Sequence, residues 1–169
     1  MQMFLRKITP FLFCLLLVAC TNASVSNDDL QKLSFQVFLP DYLPDGFHEQ
    51  KRILDLKEES LLISYGNGEN YIELFQTKKS DYDYHQMIQW FASADSKGVD
   101  KEFERVEDYV ISMDSSLKKQ GVWDVVILPS QDLSGNNIQY NELNYYHVQS
   151  NVNNEEELKK FIKSLKKIN

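Results

Sequence analysis

The chain has 169 residues, 43% of them apolar and 25% charged, a length and composition that suit one compact globular domain. Its formal net charge of −7 disfavours nucleic acid, whose phosphates would be repelled, so no nucleic-acid partner is expected. The same balance disfavours tight adhesion of the whole domain to an anionic lipid surface, although Lys159, Lys160, Lys163, Lys166 and Lys167 form a local basic patch.

The first twenty residues, MQMFLRKITPFLFCLLLVAC, are informative through their order. Arg6 and Lys7 make a positive start, residues 11–19 form an unbroken apolar run, and Leu17-Val18-Ala19-Cys20 close it. That run is about half of the ~20 residues a helix needs to cross a bilayer. It therefore fits a cleavable export signal (residues 1–19) better than a permanent span or a first buried element. The closing residues resemble the lipobox of bacterial lipoproteins. The resemblance implies cleavage before Cys20, a diacylglyceryl thioether on its sulfur with palmitate-type chains, and residence at the extracytoplasmic face of the cell membrane. Several acyl chains matter, because at ~0.8 kcal/mol per buried methylene one chain holds a protein only marginally.

Losing Arg6 and Lys7 with the leader removes two positive charges and no acid, which moves the net charge from −7 to −9. With Cys14 gone and Cys20 alkylated, no thiol is left for a disulfide or a nucleophile. The alternative is an ordinary signal-peptidase cut after Ala23, with Thr21 and Ala23 as the small residues, which would release the chain. On the lipoprotein reading, residues 20–30 are the lipidated N-terminus and tether, and residues 31–169 a single domain.

From Leu33 the pattern becomes strict alternation, with Leu33, Phe35, Val37 and Leu39 on one side, and predicts a strand over residues 33–39. Pro40-Asp41-Tyr42-Leu43-Pro44-Asp45-Gly46 then predicts a stiff, irregular turn. A second strand is expected over residues 47–56. Residues 61–65 and 71–76 flank Gly66-Asn67-Gly68, whose glycines supply positive φ for a reversal, and predict a β-hairpin. Tyr84, Met87, Ile88 and Phe91 recur at helical spacing and predict a helix over residues 83–94. Strands are expected again over residues 108–113, 122–128, 138–140 and 143–149, with a turn near Asn141 and Glu142.

The chain closes on a helix with Asn154 as N-cap, Glu157 as capping-box partner, and Leu158, Phe161, Ile162 and Leu165 on one face. Lys163, Lys166 and Lys167 near its end suit the helix dipole. Together these elements predict an α+β fold: an antiparallel β-sheet covered on one face by helices, with a C-terminal amphipathic helix. A parallel sheet would need a helix after nearly every strand, and that pattern is missing.

Chemistry-bearing patterns are sparse. His48, His85 and His147 share no metal-ligand spacing, and no metal or cofactor is expected. No G-x-S-x-G elbow surrounds Ser64 or Ser130. Asp81 and Asp83 alternate as in a calcium loop but lack the glycine and the closing glutamate of an EF-hand. No catalytic residue is therefore named, and an enzyme is not expected. The aromatics offer more: Tyr140, Tyr145 and Tyr146 with His147, and separately Tyr82, Tyr84, Trp90 and Phe91, are candidates to line a groove for an apolar or sugar-like ligand. On a strand Tyr145 and Tyr146 face opposite sides, so one is core and the other meets something outside. Tyr145, Tyr146 and Trp90 are the candidate contact residues, beside Cys20 as the lipid-attachment site.

Three runs carry a family resemblance. FLPDYLPDGF (residues 38–47), LLISYGNGENYIELFQ (61–76) and IQYNELNYYHVQSN followed by EEELKKFIKSL (138–151 and 155–165) resemble the extracytoplasmic domain of unknown function 4367. Its members open on a P-x-Y-L-P-x-G segment, here Pro40 to Gly46, and close on a hairpin and a terminal helix. The resemblance implies a non-enzymatic module on the outside of Gram-positive-type bacteria, on lipoproteins and on proteins linked to sigma-factor regulation, with no catalytic residues to carry over. The function expected is a membrane-anchored binding or sensory module that engages a protein or envelope component through an exposed sheet face or edge. The alternative is a carrier of a lipid or other apolar ligand, with a cavity between sheet and helices.

Overall fold

The structure, a computed structural model, describes residues 25–78, 101–129 and 144–169. The export signal, Cys20, the helix expected over residues 83–94 with Trp90, and the strand over 138–140 with its turn lie outside the described residues. The elements are α1 (Asn27–Leu30), β1 (Phe38–Pro40), β2 (His48–Asp55), β3 (Ser60–Gly66), β4 (Tyr71–Thr77), β5 (Lys101–Val106) and β6 (Tyr109–Asp114). They continue with α2 (Ser115–Lys118), β7 (Trp123–Pro129), β8 (Tyr145–Ser150), α3 (Glu155–Lys163) and β9 (Leu165–Lys167).

Seven strands form one antiparallel sheet in the order β2-β3-β4-β8-β7-β6-β5, and β1 pairs with β9 in a second sheet of two. The large sheet is two meanders, β2-β3-β4 and β5-β6-β7-β8, joined where β4 lies antiparallel to β8. The expected hairpin is present, in register from Ser60↔Thr77 to Gly66↔Tyr71. Its two glycines serve different ends. Gly68, at φ +95°, takes the left-handed conformation. Gly66 does not; a Cβ there would lie 2.8 Å from Gln50 Nε2 and 2.9 Å from the Asn70 carbonyl, so its role is close approach. Asn67 shapes the loop, its Oδ1 accepting from the Glu69 and Asn70 N–H groups at 3.1 and 2.8 Å.

One face of the large sheet, the inner face, builds the core. Leu61, Ile63 and Tyr65 of β3, Ile72 and Leu74 of β4, Tyr146 and Val148 of β8 and Val125 and Ile127 of β7 alternate inward and are buried. The layer over them brings Leu30, Leu33, Phe35, Val37 and Phe38 from the N-terminal part of the chain and Leu158, Phe161 and Ile162 from α3. Phe38 meets Tyr146 and Tyr109 edge-on at 5.2 and 6.0 Å, and Tyr65 meets Phe161 at 5.7 Å. Polar side chains of the sheet also hold the layer's backbone. Fully buried Gln76 accepts from the Phe38 N–H at 2.8 Å and donates to its carbonyl at 2.9 Å. The Tyr146 and Tyr109 hydroxyls donate to the Gln36 and Leu165 carbonyls, and Trp123 Nε1 to that of Val152, at 2.8, 2.7 and 2.6 Å. These bonds satisfy backbone groups that a two-stranded ribbon and irregular chain leave over.

The expected α+β architecture is thereby corrected: the molecule is mainly β, and among the described residues its sheet is not covered by helices. A bent segment, the β1–β9 ribbon and the single nine-residue helix α3 share the covering. The cause lies in residues 33–39. Leu33, Phe35 and Val37 are buried as the alternation demands, but the backbone bends there, and only Phe38–Pro40 joins a ladder. In that ladder Phe38 is buried and Leu39 only partly so.

Further differences are local. Asn154 caps α3 through the Glu156 N–H at 2.9 Å, whereas Glu157 accepts from the Tyr42 hydroxyl and pairs with Lys160. Leu165 opens β9 instead of extending the helix. The strand β5, KEFERV, has no counterpart in the sequence reading. The folded part also starts before residue 31: Leu30 is fully buried, Val25 packs on the core, and Arg52 Nη1 donates to Asn27 Oδ1 at 3.0 Å.

Candidate functional site

The opposite, outer face of the large sheet carries the exposed candidates. Register places Ile53, Leu62, Phe75, His147 and Val126 in one line across β2, β3, β4, β8 and β7. All but Ile53, which is exposed, are half-buried. Beside this line, on the same face, Tyr145 stacks on His147 at 5.9 Å between centroids and meets Phe75 edge-on at 6.2 Å. His147 Nε2 lies 2.8 Å from Asp124 Oδ1 on β7. With Asp124 ionised, Nε2 carries the hydrogen and donates, so the carboxylate fixes both tautomer and ring orientation.

Alternation along β8 separates the two candidate tyrosines as expected: Tyr146 is core and Tyr145 lies on the outer face. Tyr146 therefore supports the fold, and Tyr145 is the contact candidate of the pair. Trp90 and Cys20 lie outside the described residues, as do Tyr140 and His85. Phe75 and Asp124 were not singled out from the sequence. Period-2 alternation gives Tyr145 and His147 a common face, but only strand pairing brings β4 and β7 alongside β8.

Chemically, the arrangement offers ring faces for stacking and an imidazole and a carboxylate for hydrogen bonding. Among the described residues no hydroxyl or thiol is hydrogen-bonded to His147, and no group of three His, Cys, Asp or Glu side chains is placed to hold a metal ion. The basic patch is largely neutralised. Lys159 reaches Glu104 at 2.6 Å and Glu155 at 2.9 Å, and these bonds, Glu104 first, raise its pKa. Lys160 pairs with Glu157 at 2.8 Å and Lys166 with Asp41. The space expected to hold a carrier's ligand is the interlayer itself, where the rings of Phe38, Tyr65, Tyr109, Tyr146 and Phe161 pack edge to face.

Compared with known proteins, the chain matches no family model, no curated protein and no solved structure. Its likeness to the domain of unknown function 4367 therefore carries no residue roles here.

Proposed function

We propose that the chain is an exported lipoprotein, held by diacylglycerol on Cys20 at the extracytoplasmic face of the cell membrane, with a non-enzymatic binding or sensory domain that engages an envelope component. Two things support the address: the order of charge, apolar run and Leu-Val-Ala-Cys at residues 1–20, and a domain that is already folded at Val25. Only residues 21–24 then separate the anchor from the domain. At ~3.3–3.6 Å per residue, that keeps the domain close to the bilayer. Among the described residues no helix is long and apolar enough to cross a membrane.

The observation that carries the binding reading is the outer-face cluster of Phe75, Tyr145, His147 and Asp124, set on the rigid centre of the sheet and apart from the packed core. Aromatic faces beside an oriented polar pair are suited to holding a partner. The test has two arms. The wild-type chain should partition into detergent and show a mature N-terminus at a lipidated Cys20, while Cys20→Ser should remain unprocessed; equal maturation of both would remove the anchor. Against a panel of ester, peptide and glycan substrates the protein should show no turnover. Activity that disappears in His147→Ala would make it an enzyme and end the binding reading.

A further inference from the structure

One edge of the large sheet has an unusual composition. Among the described residues β2 pairs on one side only, with β3, and most of its side chains are exposed. Edge strands are normally blunted by charge or bulges, because unpaired N–H and C=O groups invite another strand. The first half of β2 obeys, with a bulge between Glu49 and Lys51. The second half, Arg52-Ile53-Leu54-Asp55, is regular in its pairing with β3 and presents Ile53, 42% exposed, on the outer face. Ile53 and Leu56 are the two exposed large apolar side chains among the described residues, and they sit three positions apart.

The charges on this strand select an occupant. Within His48–Asp55 the two acids, Glu49 and Asp55, balance the two bases, Lys51 and Arg52. A chain whose net charge is −7 therefore offers an edge with no net repulsion toward its own copy. In an antiparallel pair, a two-fold axis perpendicular to the sheet must pass through a residue, since directly opposed side chains share a face. Centred on Ile53, the axis sets Ile53 against Ile53 and Lys51 against Asp55 on each side, all on the outer face. Centred on Lys51 it opposes two lysines, on Arg52 it sets Lys51 against Ile53, and on Leu54 it sets Lys51 against Lys57. A centre at Gln50 falls on the bulge.

We propose that two copies of this chain pair through β2, antiparallel about a two-fold axis at Ile53, so that their seven-stranded sheets become one continuous sheet. Confinement of lipid-anchored chains to one membrane would raise the encounter rate, but the pairing geometry stands without it. The outer faces of both copies then form one surface, with two Phe75–Tyr145–His147 clusters on the same side.

Site-directed disulfide cross-linking of the full chain tests this, both in membranes and after detergent extraction. Opposed residues in an antiparallel pair have Cα atoms roughly 4.5–5.5 Å apart, within reach of a disulfide. Ile53→Cys should therefore give a cross-linked dimer at least about tenfold above the parental chain, whose Cys14 and Cys20 set the background. Positions 51 of the two copies would lie roughly 13 Å apart, four residues along the strand. Lys51→Cys or Asp55→Cys alone should thus stay at background, and the two co-expressed should cross-link. Ile53→Cys and Lys51→Cys, at exposed side chains, should keep the wild-type melting profile, whereas Asp55→Cys also removes the acceptor of the Lys57 and Glu58 N–H groups in the β2–β3 turn and should melt somewhat lower. Background cross-linking of Ile53→Cys in both preparations overturns the proposal. So does a Lys51→Cys homodimer as abundant as the mixed one, or capture of a different protein at position 53.

Discussion

Tyr145 and Tyr146 are neighbours in sequence and identical in chemistry, yet they belong to two different regions of the molecule. Tyr146, on the inner face, packs edge-on against Phe38 and donates its hydroxyl to the backbone of the covering layer. Tyr145, on the outer face, stacks on another side chain that is itself oriented by a third. The inner face directs its polar groups at its own backbone and so fixes the fold. The Tyr145–His147–Asp124 cluster on the outer face makes its contacts among side chains instead, and these a partner can replace. The difference implies that truncating the two tyrosines has unequal consequences. Tyr146→Ala should lose about 3–5 kcal/mol, because it opens a cavity beside Phe38 and strips the Gln36 carbonyl of its donor. Tyr145→Ala should lose within about 1 kcal/mol, as expected for a half-buried side chain outside the core. Equal losses in urea unfolding would erase the distinction between the faces.

Gln76 sharpens it next. This side chain is fully buried and satisfies both backbone groups of Phe38. Gln76→Leu preserves bulk but orphans a donor and an acceptor, at an expected cost of about 2–3 kcal/mol. The same midpoint shift from Glu73→Leu, a half-buried position of the same strand on the outer face, would contradict the role given to the two Gln76 bonds.

Tyr109 gives a smaller effect with a pH signature. Burial, and then the charges of Asp108 and Glu107, push its hydroxyl from 10.0 up to about 12, and burial raises that of Tyr65 as well. A group whose folded pKa is raised keeps its proton longer in the folded state. Its stabilisation is therefore complete below pH 10 and is lost as pH climbs from about 10 to about 12, where the unfolded chain ionises first. Tyr109→Phe should cost about 1 kcal/mol at neutral pH by removing the bond to the Leu165 carbonyl, and should make the alkaline fall in stability shallower. An unchanged alkaline limb would mean that this hydroxyl titrates as if exposed.

Sequence pattern revealed what is local and apolar. The β3–β4 hairpin could be read because a glycine-bearing loop separates two alternating runs, and α3 because its apolar residues recur at helical spacing after an Asn cap. Of the β5–β6 hairpin only β6 could be read: KEFERV is charge-rich, as an edge strand can be, and the turn is Glu107-Asp108, with Glu107 at φ +52° where glycine or asparagine would have announced the reversal. The covering layer was misread because bends at residues 31–35 bury Leu33 and Phe35 with the same period as a strand. The outer-face cluster was half legible. Tyr145 and His147 share a face by alternation, but Phe75 and Asp124 join them only through the non-sequential β4–β8 pairing and its β8–β7 neighbour, which no local pattern encodes.

The smallest expected effect is also the sharpest probe of the outer face. Asp124→Asn removes the charge facing His147 but leaves an oxygen able to accept from Nε2. Both side chains are half-buried and water-accessible, so the contribution of the carboxylate charge to this hydrogen bond is screened and worth within about 1 kcal/mol. The substitution should change stability by about 0.5 kcal/mol or less at moderate salt, and the small difference from wild type should shrink further at about 1 M salt, where the Debye length falls to roughly 3 Å. Thermal melts of the two proteins at low and high salt measure it. If Asp124→Asn instead lost several kcal/mol, independent of salt, the pair would be as much a structural element as Gln76, and the outer face could no longer be set apart as a surface that exchanges its contacts for a partner's.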